Sequence, residues 1–225
     1  MNVLVLAAHP DDEVLGCGGS LARHSEQGDN ILLVTMTNGE SSRLTEPNTD
    51  NRRLSLRKSC ESLGISEFKT FDFADNALDK YPLLEIIQEV EADLINFDPV
   101  IVYTHSSSDL NIDHQICSQI AHTIFRPQPG RPCPEIRLFE VLSATHWGSS
   151  ESPAFCPNLY IDISEHLNKK IEALRAYSDE MRPYPHARSV ESVVALSSFR
   201  GATVGVANAE AFRIVRKVFK TKDRL

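Results

Sequence analysis

Residues 1–24, MNVLVLAAHPDDEVLGCGGSLARH, open with an unbroken apolar run and pass directly into charge. The run Val3–Ala8 is short, β-rich and continuous rather than alternating, as a strand covered on both faces by helices would be. Similar runs follow at Ile31–Thr37, Val100–Thr104, Leu138–Leu142 and Leu159–Ile163. Between and beyond them, Ser20–Gln27, Asn51–Leu63, Leu83–Phe97, Asp113–Phe125 and a stretch around Asn168–Tyr177 carry apolar residues at helical spacing. Phe212, Val215 and Phe219 predict a last helix over Ala209–Phe219. Alternation of strand and helix predicts an α/β fold, a Rossmann-like, mostly parallel sheet flanked by helices, with a smaller C-terminal β/α portion. The proline-rich stretch RPQPGRPCP, Arg126 to Pro134, cannot continue a helix and is expected to be a loop. The division is then 1–125 and 126–225 within one domain of 225 residues, a length that one core can serve.

Composition removes several function classes. A formal net charge of −8 argues against the cationic surface that nucleic acid or anionic lipid requires. No apolar run reaches the roughly 18 to 20 residues of a membrane span. The N-terminus lacks a basic leader and meets acids at once, which predicts a cytoplasmic protein. The five cysteines are scattered and odd in number, so they are expected to be free and mostly buried rather than bridged or zinc-bound. The sequence is compatible with a homo-oligomer.

In open α/β sheets, ligands bind beyond the carboxyl ends of the strands. Directly after Val3–Ala8 come His9, Pro10, Asp11, Asp12 and Glu13. Four ionisable groups in five residues beside a buried strand would repel one another unless a cation or hydrogen bonds compensated them. Imidazole with carboxylate suits zinc or another first-row divalent ion, and a catalytic site takes three protein ligands with a position left for water. A third ligand is expected from another strand end. The segment THSSSDLNIDHQ after Val100–Thr104 offers His105, Asp109, Asp113 and His114. The competing reading is that the aspartates cap a helix beginning near Ser20. The turn Gly16-Cys17-Gly18-Gly19 does not have the spacing of a dinucleotide fingerprint or the lysine of a P-loop; its glycines are read as letting a helix pack closely on the sheet.

AAHPDDEVLGCGGSLARH at 7–24, TNGE at 37–40 and NIDH at 111–114 together resemble the PIG-L/LmbE-like deacetylases, zinc enzymes that remove acetyl groups from N-acetylglucosamine-containing substrates. SATHW at 143–147, PHARS at 185–189 and GVANAEAF at 205–212 resemble the tail of bacterial members. The resemblance implies one zinc held by His9, Asp12 and His114, with Asp11 as general base, in an enzyme acting on a small amino-sugar substrate. Many members carry histidine three residues before the last ligand, where this chain has Asn111; asparagine donates a hydrogen bond to an oxyanion but is neither cation nor acid. His105 and His186 are then candidates for the missing donor and for substrate contact. Glu40 and Arg52 stand where members contact substrate, although Arg52 shares its helix with Arg53, Arg57 and Lys58 and could equally face solvent. Two further readings stand beside the deacetylase: a metal- or nucleotide-sugar-binding module with weak or lost turnover, and a zinc hydrolase of another bond.

Overall fold

A computed structural model describes residues 1–39, 49–131, 133–148 and 153–219. Among them, seven strands form one sheet: β1 (Asn2–Ala7), β2 (Asn30–Thr37), β3 (Glu67–Phe73), β4 (Ile101–His105), β5 (Glu135–Phe139), β6 (Leu159–Asp162) and β7 (Ala209–Ile214), in the order β3-β2-β1-β4-β5-β7-β6. The first five run parallel; β7 is antiparallel to both β5 and β6. Helices are α1 (Asp12–Glu26), α2 (Thr49–Leu63), α3 (Leu83–Asp93), α4 (Ile112–Ile124), α5 (Leu167–Ala176) and α6 (Val190–Ala202).

The two faces of β1 show why its run is continuous. Val3 and Val5 pack with Leu21, Leu56 and Tyr177 on one side, while Leu4 and Leu6 pack with Ile86, Val90 and Ile120 on the other. The chain leaves β1 for β2 and β3 on one side and returns to β4 and β5 on the other. Strand order therefore reverses between β1 and β4, and a crevice opens beyond their carboxyl ends.

Four expectations change. Helix α1 starts at Asp12, not near Ser20, with Gly16, Gly18 and Gly19 inside it and a kink at Cys17 (φ −145°). The glycines do give close packing: a Cβ on Gly16 would sit 2.3 Å from the Phe139 ring, and one on Gly19 2.8 Å from Ile163. The strand expected at Leu138–Leu142 occupies Glu135–Phe139, where buried Glu135 is paired with Arg137 and Lys217 and so hides a strand behind charge. The helix expected over Ala209–Phe219 is instead β7, because pairing on both edges outweighs the helical spacing of Phe212, Val215 and Phe219. Strand β3 and helix α6 were not expected. EFKTFDF sets Phe68, Phe71 and Phe73 among polar residues at the edge of the sheet, and α6 is capped by Ser189, whose hydroxyl accepts the Ser192 amide N–H at 3.0 Å. Cys17, Cys60 and Cys117 are free and buried, Cys133 and Cys156 free and less so. No helix among the described residues is long and apolar enough to cross a membrane.

Candidate metal centre

The turn from β1 into α1 carries His9, Asp11 and Asp12, and the start of α4 beyond β4 carries His114. Three donor atoms meet there. His9 Nδ1 lies 3.1 Å from Asp12 Oδ2, His114 Nε2 lies 3.2 Å from the same oxygen, and the two nitrogens are 3.3 Å apart. Donors about 2.0–2.1 Å from a tetrahedral zinc are about 3.3–3.4 Å from one another, so the triangle has the size of one tetrahedral face. All three residues are buried.

Outer carboxylates fix which nitrogen each ring offers. His9 Nε2 is 3.1 Å from Asp75 Oδ1 and 3.2 Å from Asp113 Oδ2, leaving Nδ1 inward. His114 Nδ1 is 3.2 Å from Asp109 Oδ1, leaving Nε2 inward. Such carboxylate–histidine pairs orient metal-ligating rings. Other groupings, His105–Asp109–His114 and His9–Asp75–Asp113, also gather three donors. Their carboxylates are already engaged by protein donors. Asp113 accepts the N–H groups of Asn76 (2.8 Å) and Leu78 (3.0 Å), and Asp109 accepts the Asn111 N–H and the Thr145 hydroxyl. Asp12 Oδ1, by contrast, is buried without a partner among the described residues.

Charge in the cluster follows this geometry. Burial opposes protonation of His114, yet Asp12 and Asp109 outweigh it and push the ring up to about 9. His9 is raised against burial by Asp113, Asp12 and Asp75. Asp12, despite burial, is held well below the usual carboxylate range chiefly by His114, with the hydrogen bond from His9 adding to it. A divalent cation would take the place of those imidazole protons.

Asp11 sits beside the triangle at φ 114°, ψ −28°, a conformation that costs a non-glycine residue energy and needs support. Its side chain makes no helix cap, so capping does not explain it. Its N–H donates to Glu13 Oε2 (2.9 Å), and Glu13 is held in turn by Tyr177 Oη (2.6 Å) and Ser59 Oγ (3.2 Å). Burial pushes the Glu13 carboxyl up to about 7. Asp11 Oδ2 accepts from Arg188 Nη1 at 2.8 Å and lies 3.4 Å from Arg52 Nη2, while Glu180 joins the two arginines at 3.3 and 2.6 Å. Asp11 Oδ1 has no partner among the described residues. Burial raises the Asp11 carboxyl more than Arg188 and Arg52 lower it.

An open cleft of about 150 Å³ is lined by His9, Asp11, Arg52, Asn76, Asn111 and Arg188, among others. That volume is below the several hundred Å³ of whole-ligand pockets, so it admits one functional group of a substrate. Arg52 lines the cleft rather than a solvated face: it is 6% exposed, lies over the Tyr177 ring and donates to Pro10 O, whereas Arg53, Arg57 and Lys58 are exposed. Asn111 caps α4 through Oδ1 and faces the cleft.

His105 and His186 are placed elsewhere. His105 is fully buried, stacks on His114 with ring centres 3.9 Å apart, and accepts the Ala8 N–H on Nε2. Burial and the His114 charge drive it down to about 3, so it is a neutral packing ring behind the triangle, not a group that reaches substrate. His186 is exposed, edge-on to Trp147, and accepts the Arg188 N–H on Nδ1 (3.0 Å). Glu40 lies outside the described residues. The sequence reading missed Asp75, Asn76, Glu180 and Arg188; the PHARS stretch contains Arg188 and was the only signal of the four.

Residues 4–125 match the family described as PIG-L: GlcNAc-PI de-N-acetylase, over more than half of the chain. The "Uncharacterized deacetylase YaiS" of Escherichia coli K12 is 30% identical over 181 residues, covering 78% of this chain and 90% of its own. The 4-oxalmesaconate hydratase of Pseudomonas putida KT2440 is 29% identical over 199 residues, 80% and 74% of the two chains. Among solved structures, the N,N'-diacetylchitobiose deacetylase of Pyrococcus horikoshii superposes with TM-score 0.76 at 22% identity, covering 95% of this chain and 83% of that one, a likeness of fold.

Proposed function

The chain belongs to the PIG-L family of GlcNAc-PI de-N-acetylases, and on that premise we propose that it is a zinc-dependent hydrolase removing an acetyl group from the amide nitrogen of an N-acetylated amino sugar or its conjugate. The observation that carries the reading is the triangle of 3.1, 3.2 and 3.3 Å between His9, Asp12 and His114, with Asp11 beside it. Those three residues would hold one zinc, or another first-row divalent ion. Bound there, it would supply Lewis acidity for the amide carbonyl and for the attacking water.

Asp11, aimed by Arg188 and Arg52 and raised in pKa by burial, accepts the proton of that water through its unpartnered oxygen. Asn111 donates an amide hydrogen to the oxyanion that forms as the carbonyl becomes tetrahedral. The C–N bond then breaks, and Asp11 returns its proton to the departing nitrogen, giving acetate and a free amine. The cleft takes the acetamido group, and the rest of the substrate stays outside it. In this reading both portions of the chain, 1–125 and 126–225, serve one site in a cytoplasmic protein with no nucleic-acid or membrane partner.

A second reading, hydration of an unsaturated carboxylate as in the name of the Pseudomonas relative, is supported by that relative's 29% identity over 80% of this chain. In it Asp11 takes a proton from water as hydroxide adds to one carbon and returns it to the other, and Asn111 again serves only as a hydrogen-bond donor. One experiment separates the readings. Zinc-loaded protein, with about one ion per chain by metal analysis, is offered a panel of N-acetylated sugars and, separately, unsaturated dicarboxylates. Acetate release supports the deacetylase; turnover of the acids without acetate replaces it with a hydratase; zinc uptake with neither leaves a binding module.

A further inference from the structure

Asn76 was brought to the cleft by the segment after β3, and its carboxamide belongs to an ordered chain of polar groups. The Asn111 Oδ1 accepts the Asp113 N–H at 2.8 Å, which fixes the oxygen end of that amide toward α4. Its Nδ2 must then face Asn76, and it donates to Asn76 Oδ1 at 2.9 Å. Asn76 Nδ2 in turn donates to Asp75 Oδ1 at 3.2 Å, so the oxygen of Asn76 is the end offered to Asn111. Every amide orientation in the series is set by a partner that has only one role, a backbone donor at one end and a carboxylate acceptor at the other.

We propose that Asn76 is a positioning residue for Asn111, and that the two carboxamides act as one neutral donor aimed into the cleft. A carboxamide nitrogen carries two hydrogens. One is spent on Asn76, and this holds the second toward the space lined by His9 and Asp11. Without Asn76, the Asn111 amide is held by its oxygen alone and swings about its terminal torsion, which is intrinsically broad. The backbone supports the same assignment. Asn76 adopts φ 51°, a left-handed conformation that asparagine tolerates, and its N–H braces Asp113 behind His9. What the donor meets, the developing oxyanion, rests on the deacetylase reading; the arrangement of the two amides does not.

Asn76→Gly tests this cleanly, because glycine keeps both the left-handed backbone and the N–H to Asp113 while deleting the carboxamide. In that variant kcat should fall roughly two- to twelvefold, the worth of one neutral hydrogen bond, with KM and zinc content nearly unchanged. Asn111→Ala should cost on the order of 10²–10³ in kcat, as loss of one oxyanion donor does. The double variant should be no slower than Asn111→Ala, since Asn76 acts through Asn111. A full additional loss in the double variant would overturn the proposal. The second readout needs no turnover: the Asn111 side-chain amide pair in a ¹⁵N–¹H spectrum, identified by its disappearance in Asn111→Ala, should shift and exchange faster in Asn76→Gly. An unmoved pair also overturns the proposal. Absence of acetate release from every substrate would instead sink the deacetylase reading and leave the spectral test standing.

Discussion

Helix α1 is flanked by two clusters of buried charge built on opposite principles. Along its middle, Glu210 (5% exposed) accepts the N–H groups of Gly19 (2.9 Å) and Ser20 (2.7 Å), the Ser20 hydroxyl (2.6 Å) and Lys170 Nζ (2.6 Å). Lys170 (3% exposed) spends another donor on Leu15 O. Every strong demand there is answered from within the chain. At the head of the same helix, Asp11 Oδ1 and Asp12 Oδ1 are buried with no partner among the described residues, and Asp12, Asp75, Asp109 and Asp113 crowd around two imidazoles. Buried charge that closes on itself holds the fold together; buried charge with unanswered oxygens is waiting for something else.

The sharpest way to break this contrast is to alter the open cluster one carboxylate at a time. Asp12→Ala should lose zinc on metal analysis and with it all turnover, while Asp11→Asn keeps zinc and loses on the order of 10²–10⁴ in rate, the range for a positioned base. Equal zinc loss in the two variants would abolish the distinction between ligand and base. The closed cluster should respond in the other currency. Lys170→Met strands Glu210, so chemical denaturation should show a loss of about 3–5 kcal/mol, with zinc content and rate per folded molecule unchanged. A stability loss below about 1 kcal/mol would mean that the pair is not closed in the sense used here. The smallest effect belongs to the glycine stripe between the clusters. Gly16→Ala drives a methyl into the buried Phe139 ring and should cost about 1–3 kcal/mol by denaturation, reduced by up to about 1 kcal/mol of gained helix propensity. A stabilised variant would show that the helix can move off the sheet.

Sequence reading reached the open cluster because its parts are local. His9, Asp11 and Asp12 adjoin one continuous apolar strand, and His114 follows a second, so strand ends and ligand types could be matched on paper. The supporting groups could not be found that way. Asp75 and Asn76 follow a strand, EFKTFDF, whose alternation breaks at Lys69-Thr70 and whose polar residues outnumber its three phenylalanines, and Glu180 and Arg188 come from the segment between α5 and α6. Each is a single ordinary residue until the fold delivers it. Arg52 could face inward or outward by spacing alone, and only packing on Tyr177 decides. The failure at β7 has the same origin: local periodicity suggested a helix, but two neighbouring strands and an inward Glu210 imposed extended backbone.

The Arg188–Asp11 ion pair joins residues 177 apart in sequence. A contact of such separation pays its loop-closure entropy late, after local helices and the parallel core have organised. On the ribosome, residue 11 emerges 177 residues ahead of residue 188, so its carboxylate waits for its guanidinium. The β1–α1 turn of a nascent or truncated chain is therefore an unfinished part: it has His9, Asp11 and Asp12, but not the guanidinium that holds the Asp11 carboxylate. The arrival of residue 188 sets the moment at which that turn can be finished.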